Sequence, residues 1–355
     1  TKIDLSKDIF DNSENDPRLK GVSSSSDNNT TIRKKVGVTM SKKNDDCPPW
    51  SISAGEIQHN KMKKKLIYKD AVLKIYDLPV LYFPKFFHPD PSVKRQSGIL
   101  QPEINNSNNL GNSVTLPYFK VISNNEDLTL NPTLFDGNTS MLTTEYREIN
   151  EKNKILADVG YVNEYKSTTT NKKNSLSHYF LDVDHDLQLE DFDSSDLKLS
   201  IKKVSNDTYL KVFDQHITKS SLRPENFDNL NSSLKLFLNH ENFIFETGIQ
   251  SFEDLQTKNS SNRYQYNLPY YNYDRFVEQN YFDGTINFNS NGNNYLSETN
   301  KLESNIINNF IYNSADYISD FGLKNNFSLS LKNLNSIGKK TSQYKNNPQM
   351  EIASL

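Results

Sequence analysis

The chain has 355 residues, with 41 basic and 44 acidic side chains, a formal net charge of −3 and a mean hydropathy of −0.75. The absence of a basic excess excludes a nucleic-acid partner recognised through its phosphates, and the lack of an apolar run of about 18 residues excludes a transmembrane helix. Only 34% of the residues are hydrophobic, but 19 Tyr and 20 Phe argue against disorder. Strands with one solvated face combine low hydropathy with many aromatics, so the composition favours an all-β protein.

The first part of the chain predicts the last strands of a β-domain. Residues 1–30 are polar, and the N-terminus lacks the basic start and apolar core of a signal peptide. If the protein is exported, we therefore expect the chain to be an internal fragment or a processed form. Strands are predicted at 31–39, 51–58 and 65–76. Alternation gives them one apolar face, made of Ile52, Leu66, Tyr68, Leu73 and Ile75. Such a face suits an ordinary core as well as a lipid-contacting surface.

Residues 71–102 combine strand-like side chains with five of the chain's 13 prolines. Proline has no N–H for a sheet ladder and is confined to strand edges, strand starts and bulges. The stretch therefore predicts a seam where one β-structure passes into another. Within it, Lys94 and Arg95 form either a solvated turn or a phosphate-binding pair, because Arg binds phosphate through two parallel hydrogen bonds. His88 and Asp90, held between prolines, indicate a rigid turn rather than a metal or acid–base site.

Beyond the seam, apolar alternation in segments of about ten to fourteen residues predicts antiparallel hairpins. The predicted strands are 113–122, 127–135, 140–149, 154–165, 176–187, 197–204, 208–213, 233–239, 242–252, 264–273, 284–289, 306–311 and 322–331. Two of them carry clear apolar stripes, Leu197/Leu199/Ile201 and Phe327/Leu329/Leu331. The acidic stretch from Asp182 to Asp196 lacks EF-hand spacing and predicts loop or solvent-facing carboxylates rather than a metal site.

Catalysis finds little support in the residues. The chain has no G-x-S-x-G, H-E-x-x-H, P-loop or dinucleotide-binding fingerprint. We therefore expect no enzyme activity, no cofactor and no metal. The single cysteine, Cys47, cannot form a disulfide within the chain.

A family resemblance rests on five collinear segments. They are CPPW at 47–50, PVLYFPKFFHPDPSVKRQSGILQP at 79–102, GNSVTLPYFKVISNNEDLTLNPTLF at 111–135, EYR at 145–147 and, more weakly, YQYNLPYYNYDRF at 264–276. In these segments the chain resembles the LptD family of outer-membrane lipopolysaccharide-assembly proteins, also called OstA or Imp. The resemblance implies an all-β fragment. Residues 1–80 would form the C-terminal part of a periplasmic β-jellyroll, and residues 81–355 the first portion of an antiparallel outer-membrane β-barrel.

The resemblance also implies transport rather than catalysis. Lipopolysaccharide would arrive from an LptA-like periplasmic bridge protein, slide through the jellyroll and leave sideways through a barrel gate into the outer membrane. An LptE-like lipoprotein would plug the barrel, and the N-terminal domain would lie in the periplasm. The implied site residues are Ile52, Leu66, Tyr68, Leu73 and Ile75 for the lipid slide, Pro89, Pro91 and Pro102 for the gate, Lys94 and Arg95 for lipid A phosphates, and Cys47 for a disulfide with a partner outside this chain.

Two other classes stay open on the residues alone. One is a passive outer-membrane barrel, such as a porin or receptor, which predicts no lipid contact in residues 50–76. The other is a soluble β-rich binding protein, which predicts that the two apolar stripes are buried against a second sheet.

Overall fold

The computed structural model describes residues 3–4, 18–20, 22–39, 50–75, 77–89, 93, 95–166, 173–257, 261–279 and 283–355. Within them the chain is almost entirely antiparallel β-structure, which confirms the predicted all-β fold. It divides into two compact units, Thr1–Gly98 and Ile99–Leu355. In this part of the chain, no helix has the length and apolar character needed to cross a membrane.

The first unit contains one seven-stranded sheet with the order β1-β2-β4-β5-β6-β7, to which β3 is added beside β4. Its strands are β1 (Ile3–Asp4), β2 (Arg18–Lys20), β3 (Ser23–Ser26), β4 (Thr30–Thr39), β5 (Trp50–Asn60), β6 (Lys65–Ile75) and β7 (Leu78–Pro89). The boundary predicted between residues 80 and 81 falls inside β7, which pairs with β6 as far as Pro89. The first sheet is therefore longer than the sequence indicated, because strand pairing continues through the first prolines of the seam.

A crease crosses this sheet where the ladder skips one residue in each of four neighbouring strands. The four residues are Lys35, Gly55, Asp70 and Pro84. Lys35 and Asp70 have φ values of 51° and 50°, a left-handed conformation that is costly for residues other than glycine. Tyr68 and Ala71 would face opposite sides of a regular strand, yet both enter one buried cluster. The crease therefore keeps the apolar residues on either side of it in a single core.

The second unit contains a sixteen-stranded sheet in which most strands pair with their neighbours in the chain, and its order begins at β9 and ends at β25. Its strands are β8 (Gly98–Ile99), β9 (Glu103–Ser107), β10 (Gly111–Thr115), β11 (Tyr118–Val121), β12 (Glu126–Phe135), β13 (Ser140–Ile149), β14 (Asn153–Lys166), β15 (Lys173–Asp186), β16 (Ser194–Val204), β17 (Asn229–His240), β18 (Phe243–Asp254), β19 (Tyr264–Gln279), β20 (Gly284–Ser297), β21 (Lys301–Ser314), β24 (Ser328–Lys339) and β25 (Gln349–Ser354). A separate hairpin, β22 (Tyr317–Ile318) with β23 (Lys324–Asn325), lies between β21 and β24 in the chain.

The two faces of the large sheet differ in polarity. We call one the apolar face, because apolar side chains stand in register on it across neighbouring strands. Two such rows are Val183/Leu199/Leu234/Ile249 and Phe288/Phe310/Leu331. We call the other the polar face, since residues such as Asp158, His178 and Asp182 alternate with the apolar ones. This contrast positions the site described below.

The connection between β16 and β17, residues 205–228, is the docked segment. It contains helices α1 (Tyr209–Val212) and α2 (Asp214–Ile217), so the strand predicted at 208–213 was wrong. Helical geometry brings residues 209, 210 and 213 to one side, and all three are fully buried. A strand would have divided them between two faces. They pack against apolar residues that include Phe135, Met141, Val162, Leu176 and Phe180. A 3₁₀ turn, Ser261–Arg263, precedes β19.

Candidate functional site

The centre of the first sheet holds three of the five predicted lipid-slide residues. Tyr68 is fully buried and stacks on Phe86 with ring centroids 4.4 Å apart, and burial raises the pKa of its phenol. Ile52 and Leu66 are half-buried against the same cluster. These three residues therefore form a packed core beside the crease.

The other two residues lie where the same apolar face becomes accessible. Leu73 is half-buried, and its ladder partner Leu81 is 49% exposed. Ile75 is exposed, as is its partner Leu78. The sequence left a packed core and an accessible apolar surface as alternatives for these five residues. The first sheet has both, at the two ends of one face.

The edge strand of the second sheet is interrupted at Pro102. The β8 and β9 strands lie on either side of this residue and pair with β11 and β10, which are separated by Leu116 and Pro117. The two interruptions lie side by side, since the Leu100 N–H donates to the Pro117 carbonyl at 2.8 Å. Two prolines thus remove two backbone donors from one place in the ladder. Pro117 was not predicted from the sequence. The turn between β9 and β10 lies midway between Pro102 and Pro117, and a hairpin folded at this turn would have placed the two prolines side by side.

The remaining predicted site residues are not brought to this edge. Pro89 is the last residue of β7 and lies opposite Lys65 in the first sheet. Arg95 is exposed and outside any strand. Pro91, Lys94 and Cys47 lie outside the described residues. The gate, phosphate and disulfide roles therefore stay predictions.

A buried hydrogen-bonded triad fixes the docked segment to the polar face. His178 Nδ1 lies 2.8 Å from the Tyr209 hydroxyl, and His178 Nε2 lies 3.1 Å from Asp158 Oδ1. The three side chains resemble an acid–base group, but they are fully or almost fully buried, so no substrate reaches them. The triad acts as an anchor, which sequence spacing alone did not reveal because its members come from β14, β15 and α1.

A second set of contacts joins the docked segment to the edge strand and its neighbour. The His216 ring in α2 lies 3.0 Å through Nε2 from Ser113 Oγ in β10, and Lys219 is paired with Glu103 in β9. Burial lowers the pKa of His216, against a smaller opposing effect of Glu103. The docked segment therefore contacts the sheet beside the interruption at Pro102.

A third set lies at the start of the docked segment. Arg263 pairs with Asp207 at 2.7 Å and with the buried Glu253 at 2.7 Å. Glu253 also accepts from Lys203 at 2.6 Å and from the Tyr264 hydroxyl at 3.0 Å. This network joins the docked segment to β16, β18 and β19.

The acidic stretch is paired with basic residues across the sheet. Asp182 accepts from Lys202 at 3.1 Å and from Ser200 at 2.7 Å, while Asp184 lies 3.6 Å from Lys198. Among the described residues, no three His, Cys, Asp or Glu side chains are grouped as metal ligands would be. Asp182, Asp184 and Asp186 lie on β15 and Asp196 lies on β16, whereas the exposed Glu190, Asp191 and Asp193 lie in the connection between the two strands, as the sequence predicted for loop carboxylates.

Antiparallel neighbours of ten or more residues, with one apolar and one polar face, have the pattern of transmembrane β-strands. The chain is similar to the LPS-assembly protein LptD of Idiomarina loihiensis, 31% identical over 170 residues, which is 47% of this chain and 21% of that protein. It is also similar to the LptD proteins of Pseudoalteromonas translucida (28% over 173 residues, 48% and 22%) and Cupriavidus necator (25% over 234 residues, 65% and 26%). The predicted resemblance to the LptD family is therefore confirmed.

The chain spans about a fifth to a quarter of the length of these relatives, as the matched shares of 21%, 22% and 26% indicate. No family model matches it. Among solved structures, Pseudomonas aeruginosa OccK10 (OpdN) aligns over 96% of this chain and 92% of that chain, with 8% identity and a TM-score of 0.27.

Proposed function

We propose that this chain belongs to an exporter that moves lipopolysaccharide into the outer leaflet of the outer membrane. The observation that carries the proposal is a large antiparallel sheet with an exposed apolar face and an edge strand interrupted by proline. The similarity to LPS-assembly proteins supports the same function. The first unit would act as the periplasmic jellyroll and the second as the start of the barrel.

The apolar face supports a membrane location for the second unit. A soluble protein would bury its apolar stripes, because each CH₂ removed from water stabilises the fold by about 0.8 kcal/mol. Phe327, Leu329 and Leu331 remain 67%, 51% and 43% exposed. Lipid would cover them, whereas no second sheet does so within the described residues.

The accessible end of the first sheet would act as the lipid slide. Acyl chains need a continuous apolar path, and Leu73, Ile75 and Leu81 provide one next to the buried cluster. Lys94 and Arg95 would meet the lipid A phosphates as the lipid leaves this unit. An LptA-like bridge protein would add its own strand at an edge of the first sheet, where backbone groups are available for pairing. An LptE-like lipoprotein would fill the barrel.

The slide is tested by photocrosslinking in the full-length protein in its own host. Benzoylphenylalanine replaces either Leu81, which lies on the same face of the first sheet as Leu73, or Tyr82, which lies on the opposite face of that sheet. The two residues are adjacent and similarly exposed, at 49% and 56%, so each is the control for the other. We expect lipopolysaccharide adducts at position 81 and not at position 82. A passive porin predicts adducts at neither position, and equal labelling at both would also contradict the slide.

The gate is tested by restoring backbone donors at the interrupted edge. The double substitution Pro102→Ala with Pro117→Ala returns two N–H groups, each worth about 0.5–1.5 kcal/mol if it pairs. A strengthened edge should slow delivery of lipopolysaccharide to the cell surface, measured by pulse labelling. Pro348→Ala, in the exposed connection before β25, is the matched control. Unchanged delivery in the double mutant would refute the gate role.

A further inference from the structure

The hairpin between β21 and β24, residues 315–327, exposes large apolar side chains that the proposed function does not use. These are Tyr317, Ile318, Phe321, Leu323 and Phe327. Phe321 at its tip is 99% exposed. Exposed apolar groups in contiguous patches mark interaction surfaces more often than chance placement does.

Hydrogen bonds and an ion pair within the hairpin hold its tip in place. Ser319 and Leu323 are joined by a hydrogen bond from the Ser319 N–H to the Leu323 carbonyl at 2.9 Å, and the Gly322 N–H donates to the Ser319 carbonyl at 2.8 Å. Gly322 has a φ of +77°, which glycine adopts without strain. At the base, Lys324 neutralises Asp316 at 2.6 Å. Phe321 is therefore presented in a fixed position.

The apolar surface of the hairpin continues the apolar face of the sheet. Phe327 packs on Tyr312 with ring centroids 5.8 Å apart, and Tyr312 lies opposite Leu329. The exposed Leu331 follows on the same face of β24. A surface that covers the sheet at this place would therefore meet the hairpin as well.

Two other turns at the same end of the sheet are polar. Because neighbouring strands alternate in direction, the connections 122–125 and 150–152 lie at the same end as residues 315–327. Their tips are polar, with Ser-Asn-Asn at 123–125 and Asn-Glu-Lys at 150–152. An apolar tip is therefore not a general feature of the turns at this end of the sheet.

We propose that the 315–327 hairpin is a lipid anchor, which inserts Ile318, Phe321 and Leu323 at the boundary between headgroups and acyl chains. Tyrosine and phenylalanine at this depth match the aromatic girdles of membrane barrels, and the paired charges at the base remain in the headgroup layer. Continuity with the apolar face favours lipid as the occupant over a protein partner. The inference rests on the proposal that the apolar face meets lipid.

The test places benzoylphenylalanine at four single positions in the full-length protein, reconstituted in bilayers that contain radiolabelled phosphatidylethanolamine. Phe321 and Leu323 report on the hairpin, Leu329 reports on the apolar face, and Asn150 is the polar control turn. Phe321 is almost completely exposed, so its replacement leaves the fold intact. We expect phospholipid adducts at 321, 323 and 329, and none at 150.

Three other outcomes would overturn the anchor in distinguishable ways. Labelling at 329 without labelling at 321 and 323 would reject the anchor but leave the lipid-facing sheet. No lipid adduct at any position would reject the lipid-facing sheet and the anchor together. Adducts of 321 with protein instead of lipid would mean that a protein covers the hairpin.

Discussion

Gly160 in β14 offers a direct test of how the docked segment is held. A Cβ at this position would lie 2.3 Å from Cε1 and 2.4 Å from Nδ1 of His178, and 3.0 Å from the Tyr209 hydroxyl. His178 is fully buried and bonded through both ring nitrogens, so its ring has no free direction in which to move. The substitution Gly160→Ala should therefore break the triad from the sheet side.

The magnitude follows from two contributions. Overpacking of a buried site costs about 1–3 kcal/mol, and loss of the hydrogen bond between His178 and Tyr209 adds about 1 kcal/mol. Their sum of about 2–4 kcal/mol corresponds to an increase of about 30-fold to 1000-fold in the undocked fraction. Adding His178→Ala to Gly160→Ala gives room for the new methyl group, so the double mutant should lose less than the sum of the two single mutants.

Limited proteolysis of the full-length protein measures this fraction. The docked segment contains Lys211, Lys219 and Arg223, and trypsin reaches them faster when the segment leaves the polar face. Cleavage tracks the open population as long as opening and closing are fast compared with cleavage. Gly37→Ala is the control, since a Cβ there meets nothing within 4 Å. Equal cleavage rates for Gly160→Ala and the control would refute the anchoring role of the triad.

Three further predictions concern the crease, the pH response and the buried carboxylate. Asp70→Val should lower the unfolding free energy of the first unit by about 1–3 kcal/mol, because a β-branched residue resists a φ of 50°. Asp70→Asn should be tolerated, and denaturant unfolding of the two variants measures the difference. Burial lowers the pKa of His216, so the undocked state binds a proton more readily. Docking should be strongest above about pH 6.5 and weaken as the pH falls through the lowered pKa. Faster hydrogen exchange in residues 209–217 at acid pH would show it, and His216→Gln should remove the effect. Glu253→Gln leaves Arg263 with one carboxylate instead of two, and we expect a loss of about 1–3 kcal/mol in unfolding free energy; an unchanged unfolding midpoint would contradict this.

Strand positions were accessible from the sequence because one physical rule governs them. Alternation in stretches such as Ile155/Ala157/Val159/Tyr161 follows from side chains that point to opposite faces, and β14 covers that stretch. The short segment 208–213 is rich in aromatic and β-branched residues, yet Tyr209–Val212 is helical. Its apolar residues are close together in sequence and do not distinguish a strand from a helix. Contact with the polar face of the folded sheet selects the helix, which buries Tyr209, Leu210 and Phe213 together.

The candidate site was harder to predict from the sequence, because it depends on which strands pair and in which register. Pro102 could be singled out from its own chemistry, but its significance depends on Pro117, which pairing places beside it. The crease is similar. Lys35 and Asp70 have nothing in common as residues, and only the registers of four strands align them with Gly55 and Pro84. Register is a property of pairs of strands, so a reading of single segments does not supply it.

The edge strand of the large sheet is held by two kinds of contact that respond to different changes. Its backbone ladder is divided at Pro102 into β8 and β9, and both pieces are short. Side-chain contacts from the docked segment reach the same neighbourhood, through Lys219 to Glu103 and through His216 to Ser113. Backbone pairing is insensitive to pH near neutrality, whereas the His216 contact is not. Because the interrupted ladder offers fewer bonds, the side-chain contacts account for a larger share of what holds this edge than they would beside an unbroken strand.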